Sequence, residues 1–125
     1  MQLIETQDAP EPAGHYSQAT MVNGMVYVAG ILPIVPRTEK EIPAGIIAQA
    51  KQVFRNLQAV LLAAQSDLHQ LVSLQLFIPN IELWPDVNSV CEQALGPHKP
   101  ARTVIPCGTL HYGALIEVNA VAIVK

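Results

Sequence analysis

The segment from Ala114 to Val124 constrains this chain more than any other. Read as a strand, it points Ile116, Val118, Ala120 and Ala122 one way, and it carries Val121 and Ile123 on the other face beyond Glu117 and Asn119. A strand that is apolar on both faces is covered on both faces. Only two other segments have helical periodicity, and two helices cover one face of a sheet. A chain of 125 residues forms one domain, here spanning residues 1–125, with no further layer to offer. The sequence therefore predicts that another copy of the chain covers the second face. Composition points the same way, because 14% charged residues, against roughly 25% in an average soluble domain, leave little charge to clothe a small monomer.

The remaining elements follow in order. Leu3 and Ile4 suggest a short first strand, and Asp8 to Gly14, with two prolines, reads as a loop. Tyr16 to Val22 and Met25 to Ala29 flank Asn23-Gly24, a pair that tolerates positive φ and marks a tight hairpin. Gly30 to Gly45 holds Pro33, Pro36 and Pro43 and reads as a long loop, of the kind that is often functional. Ile46 to Ala64 places Ile46, Ala50, Val53, Phe54, Leu57, Val60, Leu61 and Ala64 on one helical face, with Lys51, Arg55, Gln58 and Gln65 opposite. Leu71 to Ile78 is a strand, expected to turn Val72, Leu74, Leu76 and Ile78 to one face. Pro85 suits a first helical turn, and Val87, Val90, Cys91 and Ala94 form the stripe of a second helix ending near Gly96. Arg102 to Ile105 is the next strand, and Pro106 places it at a sheet edge or a strand end. The order is strand, hairpin, helix, strand, helix, strand, strand. That is an α+β domain, with a mixed β-sheet and two helices packed on one face.

Charge and composition exclude several functions. The net charge is −3 with no basic cluster, so a nucleic-acid partner is not expected. No apolar run reaches membrane-spanning length, and Met1-Gln2-Leu3-Ile4-Glu5 lacks the regions of a signal peptide, so a cytoplasmic location is expected. Cys91 and Cys107 form no metal spacing with each other or with the four histidines, and both are expected to be buried small hydrophobes.

One stretch carries chemistry. Gly96-Pro97-His98-Lys99 leads into Pro100-Ala101-Arg102-Thr103-Val104-Ile105, a turn feeding a β-branched strand with Arg102 at its mouth. A guanidinium there presents a fork of donors that matches a carboxylate two to two. "GPHKPARTV", together with "NLQAVLLAA", "AGHYSQA", "VYVAGILP" and "GALIEVNAVA", resembles the RidA (YjgF) family of enamine/imine deaminases, collinearly over nearly the whole chain. The resemblance implies a chorismate-mutase-like fold and a homotrimer with sites in the clefts between subunits. It also implies hydrolysis of 2-imino acids to 2-keto acids and ammonia, with no cofactor and no metal. Arg102 matches the arginine that holds the substrate carboxylate, and the backbone amide of Val104 would be a second donor. Tyr16 matches the tyrosine of "GPYSQA", although His15 stands where the family has proline. Gly30 matches the glycine of "SGQIP", where backbone approaches the substrate, and Asn88 matches the asparagine of the family's "VN" pair.

The departures from the pattern concern water activation. Glu117-Val118-Asn119-Ala120 stands where the family has "EIEA", and aligning the family's water-positioning glutamate with Asn119 leaves an amide that orients water but takes no proton. The family's serine and glutamine are Ala29 and Ile31. Glu117 is an alternative proton-transfer group on the same strand face as Asn119, roughly 6.6 Å along the strand; a solvated or salt-bridged state is expected for it. His111, in the Leu110-His111-Tyr112-Gly113 turn where the family has "LPKG", and His15 beside Tyr16 are further candidates, because imidazole titrates near neutrality. His69 and His98 suggest no role. Three readings stay open: a deaminase, a non-catalytic module binding small carboxylates such as 2-keto acids through Arg102, and an interaction role for the apolar surface.

Overall fold

Asn23 and Gly24 both take positive φ, 52° and 75°, and close the two-residue turn on which the first half of the fold is built. The computed structural model describes residues 1–125. The turn joins β2 (Ala19–Val22) to β3 (Met25–Ile31), with β1 (Gln2–Ile4) antiparallel to β2 on its other side. Then follow α1 (Ile46–Ala63), β4 (Leu71–Ile78), α2 (Trp84–Leu95), β5 (Ala101–Pro106) and β6 (Glu117–Ile123). All six strands form one mixed sheet in the order β1-β2-β3-β6-β4-β5. Only β4 and β5 are parallel, and α2 makes the crossover between them. The α+β architecture is therefore the one the sequence predicts, with β6 in its interior and β5 at an edge where Pro106 is tolerated.

One face of the sheet packs on the helices. Ile116, Val118, Ala120 and Ala122 are all buried there, against Val53, Leu57, Val60 and Leu61 of α1 and Val87 and Val90 of α2. Truncating a fully buried side chain such as Leu57 to alanine would cost about 2–5 kcal/mol. The other face carries no helix. Its rows include Tyr27 opposite Val121, Gln75 opposite Asn119, and Phe77 opposite Glu117. Tyr27 and Ile123 are exposed, while Val121, Phe77 and Ile105 are only half-buried.

Several local expectations are corrected. Tyr16 precedes the hairpin strand, which begins at Ala19, whereas Gly30 belongs to β3 rather than to the following loop. The last strand is shorter than expected at seven residues, so the eight residues of β4 make it the longest. Leu71, not Val72, is buried in β4, because the pairing with β6 shifts register between Leu71 and Ser73 and turns Val72 outward. Cys91 is buried, but Cys107 is exposed, since it lies just past the end of the edge strand.

The helix also buries polar residues that its apolar stripe did not announce. Asn56 donates to the carbonyls of Leu32 and Ile34 at 3.0 and 2.9 Å and accepts from Gln52 at 2.9 Å. Gln49 accepts from the amide of Leu115 at 2.8 Å. On the opposite side of the β2–β3 hairpin, Gln18 is buried and bonds both ways with the Thr6 backbone, and it also donates to the Pro10 carbonyl at 2.8 Å. Buried amides persist only when satisfied. Here they pin the segments on either side of Gly30 and the approach to Glu117, and so fix the walls of a cleft.

Candidate functional site

Arg102 lies on the edge strand at the register position of Leu74, whose side chain is fully buried on the helix side of the sheet. That parity turns the guanidinium toward α2. It stacks over the Trp84 ring, 4.9 Å from its centroid, and Nη1 donates to Asn88 Oδ1 at 3.0 Å. Asn88 in turn donates to Glu92 Oε1 at 3.2 Å. Trp84, Asn88 and Glu92 follow one another at i, i+4 along α2, so one helix face aims the arginine. Burial pushes the Cys91 thiol up, and the adjacent Arg102 pulls it partly back. The guanidinium remains exposed, with donors free for an anion. Val104, two residues on, sits on the same edge strand, whose outer side offers unpaired backbone groups.

The second group forms where β3 ends and β6 begins. A Cβ built on Gly30 would overlap Glu117 Oε2, so the missing side chain of Gly30 makes the room that the Glu117 carboxyl occupies. Glu117 is half-buried and makes no ion pair, contrary to the expectation of a solvated or salt-bridged group. Burial pushes its carboxyl above the ordinary range, with the nearby His111 pulling the other way. Tyr16, Gly30, Ile31 and Tyr112 line a cleft that adjoins Glu117 through Gly30. The Tyr16 hydroxyl accepts from the Ala13 amide at 3.2 Å, which folds the ring against its own loop.

These two groups do not meet within one chain. From β5 to β3 is three strand spacings, roughly 14 Å, and Arg102 faces the helices while Glu117 lies on the open face. Arg102, Asn88 and Val104 belong to one end; Tyr16, Gly30, Glu117 and His111 belong to the other. Asn119 joins neither. It sits mid-sheet opposite Gln75, two residues further along β6 than the cleft. His15 is exposed beside Tyr16. His98, for which the sequence suggests nothing, bonds through Nε2 to the Leu71 carbonyl at 2.8 Å and so ties the β5 approach to β4. Trp84 and Tyr112 escaped the sequence reading. The i, i+4 spacing of Trp84 and Asn88 was the available signal for the first, and nothing in the pattern marked the second.

Fold and geometry define a small α+β protein, a six-stranded sheet backed by two helices with an arginine fork at one edge and a desolvated carboxyl at the far cleft. Among known proteins, the family model described as Endoribonuclease L-PSP matches residues 6–124. The chain belongs to this family, to which RidA and the RutC family proteins also belong. It is similar to the crystal structure of RidA from the Antarctic bacterium Psychrobacter sp. PAMC 21119, with a TM-score of 0.95 and 32% identity over 99% of this chain and 100% of that one. It is 30% identical to a 2-iminobutanoate/2-iminopropanoate deaminase of Dermatophagoides farinae, over 98% of this chain and 96% of the relative. It also resembles the structure of E. coli TdcF with bound serine, with a TM-score of 0.94 and 29% identity over the whole of both chains.

Proposed function

We propose that this protein hydrolyses reactive 2-imino acids, and the enamines that tautomerise to them, to 2-keto acids and ammonia, at clefts between the subunits of a homotrimer. The observation that carries the proposal is the Glu117 carboxyl, held in the space left by Gly30, half-buried, unpaired and raised in pKa. A carboxyl so placed is suited to proton transfer. Arg102, stacked on Trp84 and steered by Asn88, holds the substrate carboxylate. The serine bound to TdcF carries the same α-carboxylate. The apolar open face, with Tyr27 and Ile123 exposed, supplies the surface on which copies associate, and association brings Arg102 of one copy to the Gly30–Glu117 cleft of the next.

In the reaction, ionised Glu117 takes a proton from water as the oxygen bonds to the imine carbon. The protonated carboxyl then returns a proton to the nitrogen of the tetrahedral intermediate. Glu117 next takes the hydroxyl proton as the C=O bond forms and passes it to the departing nitrogen, so the C–N bond breaks, ammonia leaves with the carboxylate regenerated, and the keto acid remains on Arg102. Water is the only co-reactant, with no change of oxidation state. Proton transfer therefore falls to Glu117 rather than Asn119, whose amide takes no proton and which lies away from the cleft.

The endoribonuclease name of the family does not suit this surface. Ten acidic residues outnumber seven basic ones, and the open sheet face presents no lysine or arginine to a phosphate backbone. The test is formation of keto acid and ammonia when 2-aminoacrylate is generated in situ, above the spontaneous rate with wild type and near it with Arg102→Ala. Keto-acid binding through Arg102 with no turnover would leave only the carboxylate-binding reading.

A further inference from the structure

Tyr112 is a bulky residue in a backbone conformation that bulky residues avoid. It has φ 59° and ψ 22°, the following Gly113 has φ 70°, and the Ala114 amide donates back to the His111 carbonyl at 3.1 Å. This is a tight turn with two consecutive left-handed residues, the setting of asparagine, aspartate or glycine. The ring contributes nothing to the core, because Tyr112 is half exposed. It lines the cleft with Tyr16, Gly30 and the buried Ile31, and Lys40 Nζ lies 5.6 Å from its centroid. Strain kept at a cleft and serving no core packing points to a role in the cleft. The lining is mostly apolar, with Glu11 and Gln18 among its polar members, and the cavity holds only about 40 Å³. A small group fits inside, and anything longer must lie along the rings.

We propose that Tyr112 is a specificity-determining residue, forming with Tyr16 and Ile31 a subsite for an apolar substrate side chain larger than methyl. The inference rests on the imino-acid reading of the site and names its substrate class: 2-imino acids with aliphatic side chains such as that of leucine. The carboxylate lies at Arg102, the reacting carbon lies beside Glu117, and the side chain extends across the Tyr112 ring. Because an asparagine suits the turn better than a tyrosine, removing the ring separates function from folding.

The experiment compares wild type, Tyr112→Asn and Tyr112→Phe on imines generated in situ by an amino-acid oxidase from leucine and from alanine. Wild type should favour the leucine-derived imine. Tyr112→Asn should lower kcat/KM for that imine at least about tenfold while changing the alanine-derived one less than about threefold, as expected when apolar contacts to a few carbons are lost. Its Tm should be unchanged or higher, and Tyr112→Phe should keep the preference. An equal fall on both imines, or no fall, overturns the subsite and leaves the deaminase reading standing. If wild type turns over neither imine, the deaminase reading fails, and binding of 4-methyl-2-oxopentanoate against pyruvate by calorimetry decides the subsite. The same selective loss in Tyr112→Asn upholds it, and an unselective change or no binding overturns it.

Discussion

Gly30→Ala is the substitution that most sharply separates catalysis from folding in this chain. Gly30 does not adopt a left-handed backbone, so an alanine there meets no conformational penalty, and it lowers the entropy of the unfolded chain by about 0.4–1 kcal/mol. The new methyl collides with Glu117 Oε2, which is the end of a flexible side chain and not backbone. Rotating that carboxyl away costs on the order of 1 kcal/mol, so the two effects nearly cancel and Tm should move little. The chemical consequence is much larger. Displacing the proton-transfer group should lower kcat by about 10² to 10⁴, or 3 to 5 kcal/mol of barrier. Single-turnover hydrolysis of an imine generated in situ, beside a thermal melt, reads both quantities. A variant that melts with wild type and also turns over like it would show that the space under Glu117 has no catalytic purpose.

Other substitutions test the remaining parts. Arg102→Ala should weaken a small keto acid at least about tenfold by calorimetry, since charge-assisted hydrogen bonds contribute about 1.5–3 kcal/mol, and Arg102→Lys should recover only part of it. Trp84→Leu should weaken the same ligand by several fold through loss of the platform under the guanidinium, without loss of the fold. The acid limb of kcat/KM should lie above the ordinary carboxylate range and vanish in Glu117→Gln, whereas Asn119→Ala should keep both the limb and the rate within a few fold. The same raised pKa fixes a sign for stability. Protonated Glu117 suits its site better than the carboxylate, so its contribution is present below the unfolded pKa and is lost as pH rises through the folded one. Denaturant titrations should therefore show wild type losing stability relative to Glu117→Gln over that window.

The fold was legible because its signals were periodic. The stripe from Val53 to Leu61, the Asn23-Gly24 turn and the doubly apolar β6 each admit few alternatives. The site was legible only in part. Arg102 could be read because a loop and a β-branched run place it at a strand mouth, but its partners Trp84 and Asn88 depend on how α2 packs beside β5. Glu117 was underrated because spacing along a strand says nothing about the neighbouring strand. Its environment is created by the missing side chain of Gly30, across a pairing that shifts register between Val28 and Ile31. Tyr112 was invisible, since a left-handed tyrosine follows no residue preference.

The central claim, that Arg102 and Glu117 from different copies form one site, is tested most directly by mixing two inactive variants. Arg102→Ala and Glu117→Gln homo-oligomers, each at background rate alone, would be dissociated together in mild denaturant and reassembled at equal concentration. A site shared between neighbours predicts recovery of about a quarter of wild-type imine hydrolysis, because random reassortment places one intact arginine against one intact glutamate at that fraction of interfaces. A mixed assembly, verified by mass, that stays at background would contradict the account.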